Sequence, residues 1–468
     1  MIPETIQIAQ FALRARFEEI SASTVDQLKR HLLDSIGSFI FAQDQPPVLK
    51  LKNTFADLEG RNKLTDIHDL SFDKLAQYFT ALIRYPDFMD NFLAKESTCH
   101  PSDNIGPLLA VDKLVSLSGV DFLLAMAIGY QVECWLTKEM PVMIKGYDHT
   151  ALLAFSTTAA LSRVLMLTEE QTACALGMAG CAFDPLVTSR AAYTTEWKGF
   201  ASSSVNAGCA TITLLAKNNM TGPIDLFEKP EKGYDSIYGM DLTYDWTNEK
   251  FDLIPCCILK SYNSEVHTQP SVEAAIELKR QHSFNPSEIE KIEISTFLTA
   301  YHIVGGGEYG NRKTVYTKEQ GDQSMPYVIA AAILDGQLYP EQLFPEKINQ
   351  PDVQELLQKV NVHTSFPIHK PVKLAGMLDK NTEAYPDKLI SEVTIYLKNG
   401  EKFSIKKESY KGFFLDPLSW EDVIKKFRKI TGNKVDESAK DQIIDIIRNL
   451  EKHSVSDLLS KILIEQNK

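Results

Sequence analysis

Cysteine is sparse and scattered in this chain of 468 residues. Cys99, Cys134, Cys174, Cys181, Cys209, Cys256 and Cys257 are odd in number, and no two stand as C-x-x-C. That spacing excludes the close thiolates of an iron–sulfur cluster or a structural zinc site. It suits free thiols in a reducing compartment. Positive charge is short as well. Lys plus Arg is 49 against 62 Asp plus Glu, a net charge of −13, and an acidic chain is a poor general binder of nucleic acid. No apolar run is read as reaching the ~20 residues of a membrane helix. Residues Met1 to Ile20 carry Glu4, Glu18 and Glu19 and have no apolar leader core. Neither repeats nor low-complexity segments stand out. The expectation is a soluble, cytoplasmic protein with no nucleic-acid or membrane partner.

What is present is an ordinary globular balance, 44% hydrophobic and 24% charged. The length suggests two or three domains at ~150 residues each. The first half reads as helix after helix. Val25, Leu28, Leu32, Ile36, Phe39 and Ile40 recur at helical spacing within Ser23 to Ala42. Ser23 with Asp26 reads as its cap, and Thr168 with Gln171 caps another helix. Further helices are expected over Ser71 to Ile83, Asn104 to Leu117, Val120 to Leu136, His149 to Leu165 and Phe200 to Ala216. The texture changes after about Ile258. Ile289 to Phe297 alternates as a strand does, Val360 to Thr364 is a short strand, and Ile390 to Lys407 reads as a hairpin around Asn399-Gly400. Helices lie between these strands, and helices return after Asp416-Pro417. The fold class expected is mostly α, a large all-helical domain interrupted by a smaller α+β lid domain. The domain limits are 1–262 (helical), 263–410 (α+β lid) and 411–468 (helical return).

Polar and titratable residues gather in four places. The first runs from Asp87 through Asp90 and Asn91 to Lys95, Glu96 and His100, just before a helix expected to open at Asn104. A helix start there offers N–H groups to an anion; the plainer alternative is a polar connection with Asp103 or Asn104 as a cap. Asp87, Asp90 and His100 also have metal-ligand chemistry, though carboxylates far more often cap or face solvent. The second is Lys145 to Thr150, where His149 begins an apolar helix and suits acid–base work or a capping role. The third holds Arg190 and Lys198, cations suited to carboxylates or to solvent. The fourth comprises Lys260, His267, Tyr309 and Arg312. Gly305-Gly306-Gly307 is not a phosphate loop, since no Gly-Lys-Ser/Thr follows. Neither a Rossmann glycine signature, nor G-x-S-x-G, nor H-E-x-x-H is read in the chain.

In order along the chain stand DFMD with HPSDNIG (Asp87 to Gly106), GYDHT (Gly146 to Thr150), EWKGFA (Glu196 to Ala201), HTQ (His267 to Gln269) and the stretch Asp322 to Gly336. Over nearly its whole length the chain resembles the MmgE/PrpD family. The resemblance implies a large helical domain interrupted by a smaller lid domain, and a homodimer. It implies activity on small polycarboxylates without metal or organic cofactor: 2-methylcitrate dehydration, cis-aconitate decarboxylation or iminodisuccinate epimerisation. It points to Asp87, His100, His149 and Tyr309 as catalytic groups. Asn91, Lys95, Arg190, Lys198, Lys260, His267 and Arg312 are candidates for binding substrate carboxylates. Asn91 stands where relatives often have Thr. Ser203 stands where the decarboxylase branch has a lysine, which favours a dehydratase acting on 2-methylcitrate or citrate. Epimerisation and carboxylate binding without catalysis are the other readings.

Overall fold

The computed structural model describes residues 2–61, 66–191, 193–239, 242, 244–365 and 378–463. Among the described residues ten α-helices precede the change of texture: α1 Glu4–Arg14, α2 Ala22–Ala42, α3 Pro46–Leu58, α4 Phe72–Arg84, α5 Ile105–Ala110, α6 Gly119–Glu139, α7 Thr150–Val164, α8 Glu169–Ala182, α9 Ala201–Lys217 and α10 Tyr234–Tyr238. A two-stranded antiparallel ribbon, β1 (Phe92–Leu93) with β2 (Thr98–Cys99), lies between α4 and α5. Then come α11 (Gln269–His282), β3 (Ile289–Thr296), α12 (Leu298–Val304), α13 (Lys318–Gly321), α14 (Met325–Asp335), α15 (Pro345–Ile348), α16 (Pro351–Gln358), β4 (Val360–Thr364), α17 (Lys380–Glu383), β5 (Ser391–Leu397) and β6 (Lys402–Lys407). The chain ends in α18 (Trp420–Thr431), α19 (Glu437–Arg448) and α20 (Val455–Ile462).

The fold resolves into two compact units. One holds Met1–Val187, Gly199–Ile258 and Ser419–Lys468; the other holds Thr188–Lys198 and Leu259–Leu418. The architecture is mostly α with a smaller α+β part. In the first unit α4 packs on α9, α6 on α7, α7 on α9 and α18 on α2. Gly106 in α5 allows the close approach of α4, because a Cβ there would overlap the backbone nitrogen of Thr80. Gly129 in α6 likewise leaves room for the Asn104 side chain, which a Cβ would meet at 3.0 Å.

In the second unit a four-stranded sheet runs β4-β3-β5-β6. β3 and β4 are parallel, with Ile292 opposite Val360, and the other pairs are antiparallel. The expected hairpin forms, with Ser391 opposite Lys407 and Gly400 at φ 91°, the left-handed conformation that favours glycine. Helix α11 packs against β5 and β6, and α14 against β4. These contacts bury the alternate residues Val393, Ile395 and Leu397.

Four sequence readings need correction. The cap of α2 is Ser21, whose Oγ accepts from Thr24 N at 3.1 Å; Ser23 already lies inside the first turn. The helix expected over Asn104 to Leu117 is broken into a 3₁₀ turn at Pro101–Asn104, the short α5, and a 3₁₀ turn at Val111–Lys113. Helix α6 is, by length and composition alone, apolar enough to cross a membrane, but 89% of that window is buried inside the protein, as in a core helix. Finally, Gly305 to Gly310 does spell G-x-G-x-x-G. It follows helix α12, whereas a dinucleotide loop follows a strand and opens a helix. The expected end of the last helix, Ile464, lies outside the described residues.

Candidate active site

The two candidate histidines of the first unit meet. His100 ends the β1–β2 ribbon, His149 immediately precedes α7, and their ring centroids are 5.1 Å apart, edge to face at 62°. Both are buried. His100 Nδ1 lies 2.7 Å from the backbone oxygen of Asp90. A carbonyl only accepts, so Nδ1 carries the proton and Nε2 of the neutral ring carries the lone pair. Asp148 Oδ1 is 3.7 Å from His149 Nε2 and is itself fixed by the Thr150 N–H and hydroxyl, each at 3.0 Å.

The segment from Asp87 to Asn91 is pinned residue by residue. Asp87 accepts from Arg84 Nη1 at 2.9 Å and adopts φ 56°, a left-handed conformation costly for a residue with a Cβ. The Phe88 carbonyl accepts from Lys426 Nζ at 2.7 Å, and Lys426 pairs with buried Asp34 at 2.8 Å. The Asp90 carboxylate takes hydrogen bonds from His31, Tyr130 and Ser102. Asn91 exchanges both backbone hydrogen bonds with Ile258, at 2.9 and 2.8 Å.

Electrostatics follow from burial. Arg84 is 1% exposed. Burial opposes its charge, but Asp87, Asp103 and Asp148 outweigh that and hold its pKa above the ordinary guanidinium value. Asp103 Oδ2 lies 3.7 Å from Arg84 Nε. For Asp90 burial again favours the neutral form, yet His31, Ser102 and Tyr130 prevail and keep its carboxyl below the usual range. Glu133 goes the other way: burial, reinforced by the nearby Cys99 and Asp103, raises it well above a normal carboxyl against the Asn104 amide. Its Oε2 accepts from Asn104 Nδ2 at 2.7 Å.

The remaining candidates fall in three settings. Asn91 is buried at the end of this segment, whereas Lys95 is exposed in the turn of the ribbon. Arg190, Lys198, Lys260, His267, Tyr309 and Arg312 belong to the second unit. Lys198 Nζ lies 2.7 Å from buried Asp322 Oδ1, whose other oxygen pairs with Lys318 at 2.9 Å. Arg190 Nη1 donates to the Lys198 carbonyl at 3.4 Å. His267 has both ring nitrogens engaged, Nδ1 with Glu265 Oε1 at 2.7 Å and Nε2 with the Tyr385 hydroxyl at 3.1 Å. Arg312 Nε donates to the Ile303 carbonyl at 2.9 Å, and burial lowers its pKa against the pull of Glu265, Asp322 and Tyr309. Lys260 is buried and Tyr309 half-buried.

Sequence reasoning missed Arg84 and His31. Arg84 closes an apolar helix and its acids are three and nineteen residues away; a lone arginine after FTALI was the available signal. His31 sits on the buried helix α2, fifty-nine residues from Asp90, a distance at which sequence spacing carries no information.

Comparison with known proteins identifies the family. The MmgE/PrpD N-terminal domain family model matches residues 6–245 and the MmgE/PrpD C-terminal domain model matches residues 262–452. The chain is similar to the cis-aconitate decarboxylase of Homo sapiens, 22% identical over 466 residues that cover 94% of this chain and 90% of that protein. It is similar to the 2-methylcitrate dehydratase of Escherichia coli O157:H7, 24% identical over 420 residues, covering 86% and 83%. The 2-methylcitrate dehydratase of Escherichia coli strain K12 is 25% identical over 378 residues, covering 76% and 77%.

Proposed function

The chain belongs to the MmgE/PrpD family and is an enzyme, and from that premise we propose that it dehydrates a small hydroxy-polycarboxylate, 2-methylcitrate or citrate, to the corresponding alkene. The observation that carries this reading is the buried contact of His100 with His149, one ring with a fixed lone-pair nitrogen and the other beside a carboxylate. Dehydration breaks a C–H bond next to a carboxylate and a C–O bond on the neighbouring carbon. The two products are the alkene and water. In this proposal His100 Nε2 takes the proton, and His149, as an imidazolium beside Asp148, gives one to the departing hydroxyl. The lost proton and the delivered proton balance, so the pair exchanges charge and returns to its starting state by proton transfer through solvent. Asp87 and Arg84 supply fixed charges nearby.

The alternative of decarboxylation is weakened at Ser203. It is buried in α9 with Oγ donating to the Phe200 carbonyl at 2.8 Å, so a neutral hydroxyl, already turned to the helix backbone, stands where that branch has a cation. A carboxylate that relied on a lysine there would lose a charge-assisted partner.

The test is ultraviolet absorbance of purified, chelator-treated protein given 2-methylcitrate and, separately, citrate. A rise with either shows formation of a conjugated alkene acid, and the ratio of rates identifies the substrate. One methyl group in a pocket is worth ~1–3 kcal/mol of discrimination. No rise with either refutes the proposal. In that case change of optical rotation without absorbance marks an epimerase, and thermal stabilisation by citrate without turnover marks a binding protein.

A further inference from the structure

Asp90 stands beside His100, yet its carboxylate is fully engaged within the protein. Oδ2 lies 3.0 Å from His31 Nδ1 and accepts from the Tyr130 hydroxyl at 2.7 Å. Oδ1 accepts from the Ser102 N–H at 3.1 Å and from the Ser102 hydroxyl at 2.6 Å. An ionised carboxylate has about four lone-pair sites, and these four donors fill them, which leaves no oxygen site for a substrate proton. His31, Asp90, Ser102 and Tyr130 are all buried. The donors come from α2, from α6 and from the 3₁₀ turn that follows His100, so one side chain ties three elements together. The backbone oxygen of the same residue is the one that holds His100 Nδ1 at 2.7 Å. A carbonyl fixes an imidazole only as firmly as its own peptide is fixed. Here the peptide is held from both directions, at Asp90 by this network and at Asn91 by the pairing with Ile258.

We propose that Asp90 is the positioning residue of this site: its anchored carboxylate fixes the carbonyl that sets the tautomer and orientation of His100, and His31 and Tyr130 act on the reaction through it. Asp90 therefore transfers no proton itself. The inference rests on the role given to His100 above. Of the two acids in DFMD, it assigns the orienting task to the second, through a main-chain oxygen, while Asp87 is engaged with Arg84.

The experiment combines ring-nitrogen spectra with kinetics on the full chain. Protein labelled with ¹⁵N-histidine is compared as wild type, His100→Gln, Asp90→Asn and Tyr130→Phe. The resonances lost in His100→Gln identify that ring. In the wild type they show a protonated Nδ1 and a bare Nε2; in Asp90→Asn they become an average of the two tautomers. With 2-methylcitrate, kcat of Asp90→Asn falls about 10- to 100-fold while KM stays within about threefold, the pattern of a displaced catalytic group. Tyr130→Phe keeps the ring and removes one donor of four, so kcat falls a few-fold, about threefold, and it reports on the network if Asp90→Asn does not fold. Ile447→Ala, a core truncation in α19, serves as the control for lost stability alone. An unchanged His100 spectrum in both variants overturns the proposal, as does a loss of kcat no greater than that of the control at equal loss of Tm. If the wild type turns over neither substrate, the proposed reaction has failed, while the tautomer comparison still decides the role of Asp90.

Discussion

Replacing Arg84 by Met removes a buried cation from between buried acids, and its cost follows from the surroundings. The guanidinium meets Asp87 at 2.9 Å and Asp103 at 3.7 Å, and all three side chains are buried. Met has similar length and keeps the apolar packing of α4, so the principal loss is electrostatic. Breaking a buried pair from one side costs about 3–5 kcal/mol, because a charge is left uncompensated. At the ~2–4 °C per kcal/mol usual for a domain of 150–250 residues, Tm falls by roughly 6–20 °C. The sign of its pH dependence is fixed as well. Without Arg84, burial favours the protonated forms of Asp87 and Asp103 in the folded state over the unfolded one, so protons stabilise the variant. That stabilisation is present at low pH and is lost as pH rises. The gap in Tm between wild type and Arg84→Met is therefore wide at pH 8 and narrower at pH 5. Thermal melts followed by circular dichroism at both pH values measure it. A stability loss below about 1 kcal/mol, or a gap in Tm that is equal at the two pH values, refutes the ion-pair account of this segment.

Three further outcomes are expected. Gly106→Ala forces a Cβ into the backbone of Thr80 and destabilises by about 1–3 kcal/mol in a urea titration; no loss means that α4 and α5 are not so closely apposed. Glu4 is buried, and despite its bond from Trp246 burial together with Glu228 and Asp235 lifts its pKa to about 8. Its folded pKa lies above its unfolded value, so stability falls as pH rises from about 4.5 to 8, by roughly 3–5 kcal/mol. Glu4→Gln flattens that slope, and a wild-type curve without the slope contradicts the assignment. His149→Gln lowers kcat at least about 100-fold with a small change in Tm, measured by the absorbance assay; a normal kcat removes His149 from the chemistry.

The fold was legible where one local rule was enough. The alternation of Ile289 to Thr296 and the Asn399-Gly400 turn produced the strands at their expected places, and Thr168 with Gln171 forms its capping box. Ser21 and Ser23 both stand before an apolar run; composition cannot choose between two hydroxyls two residues apart, and the extended backbone of Ser21 decided it. In the site, the histidines and Asp87 were legible because they lie in compact motifs. The charges that hold them were not. Arg84 to Asp103, His31 to Asp90 and Lys426 to Asp34 are contacts made by tertiary packing between residues far apart in sequence. A buried charge in an apolar helix signals that a partner exists without saying where. The tautomer of His100 was out of reach for the same reason, since it depends on a main-chain oxygen.

The most direct test of the account is alkene formation from 2-methylcitrate by the wild type and by His100→Gln, side by side, with Tm recorded for both. The account predicts rising ultraviolet absorbance with the wild type and a rate at least about 100-fold lower with the variant, at nearly the same Tm. Equal rates would contradict it, and so would a wild type that forms no alkene.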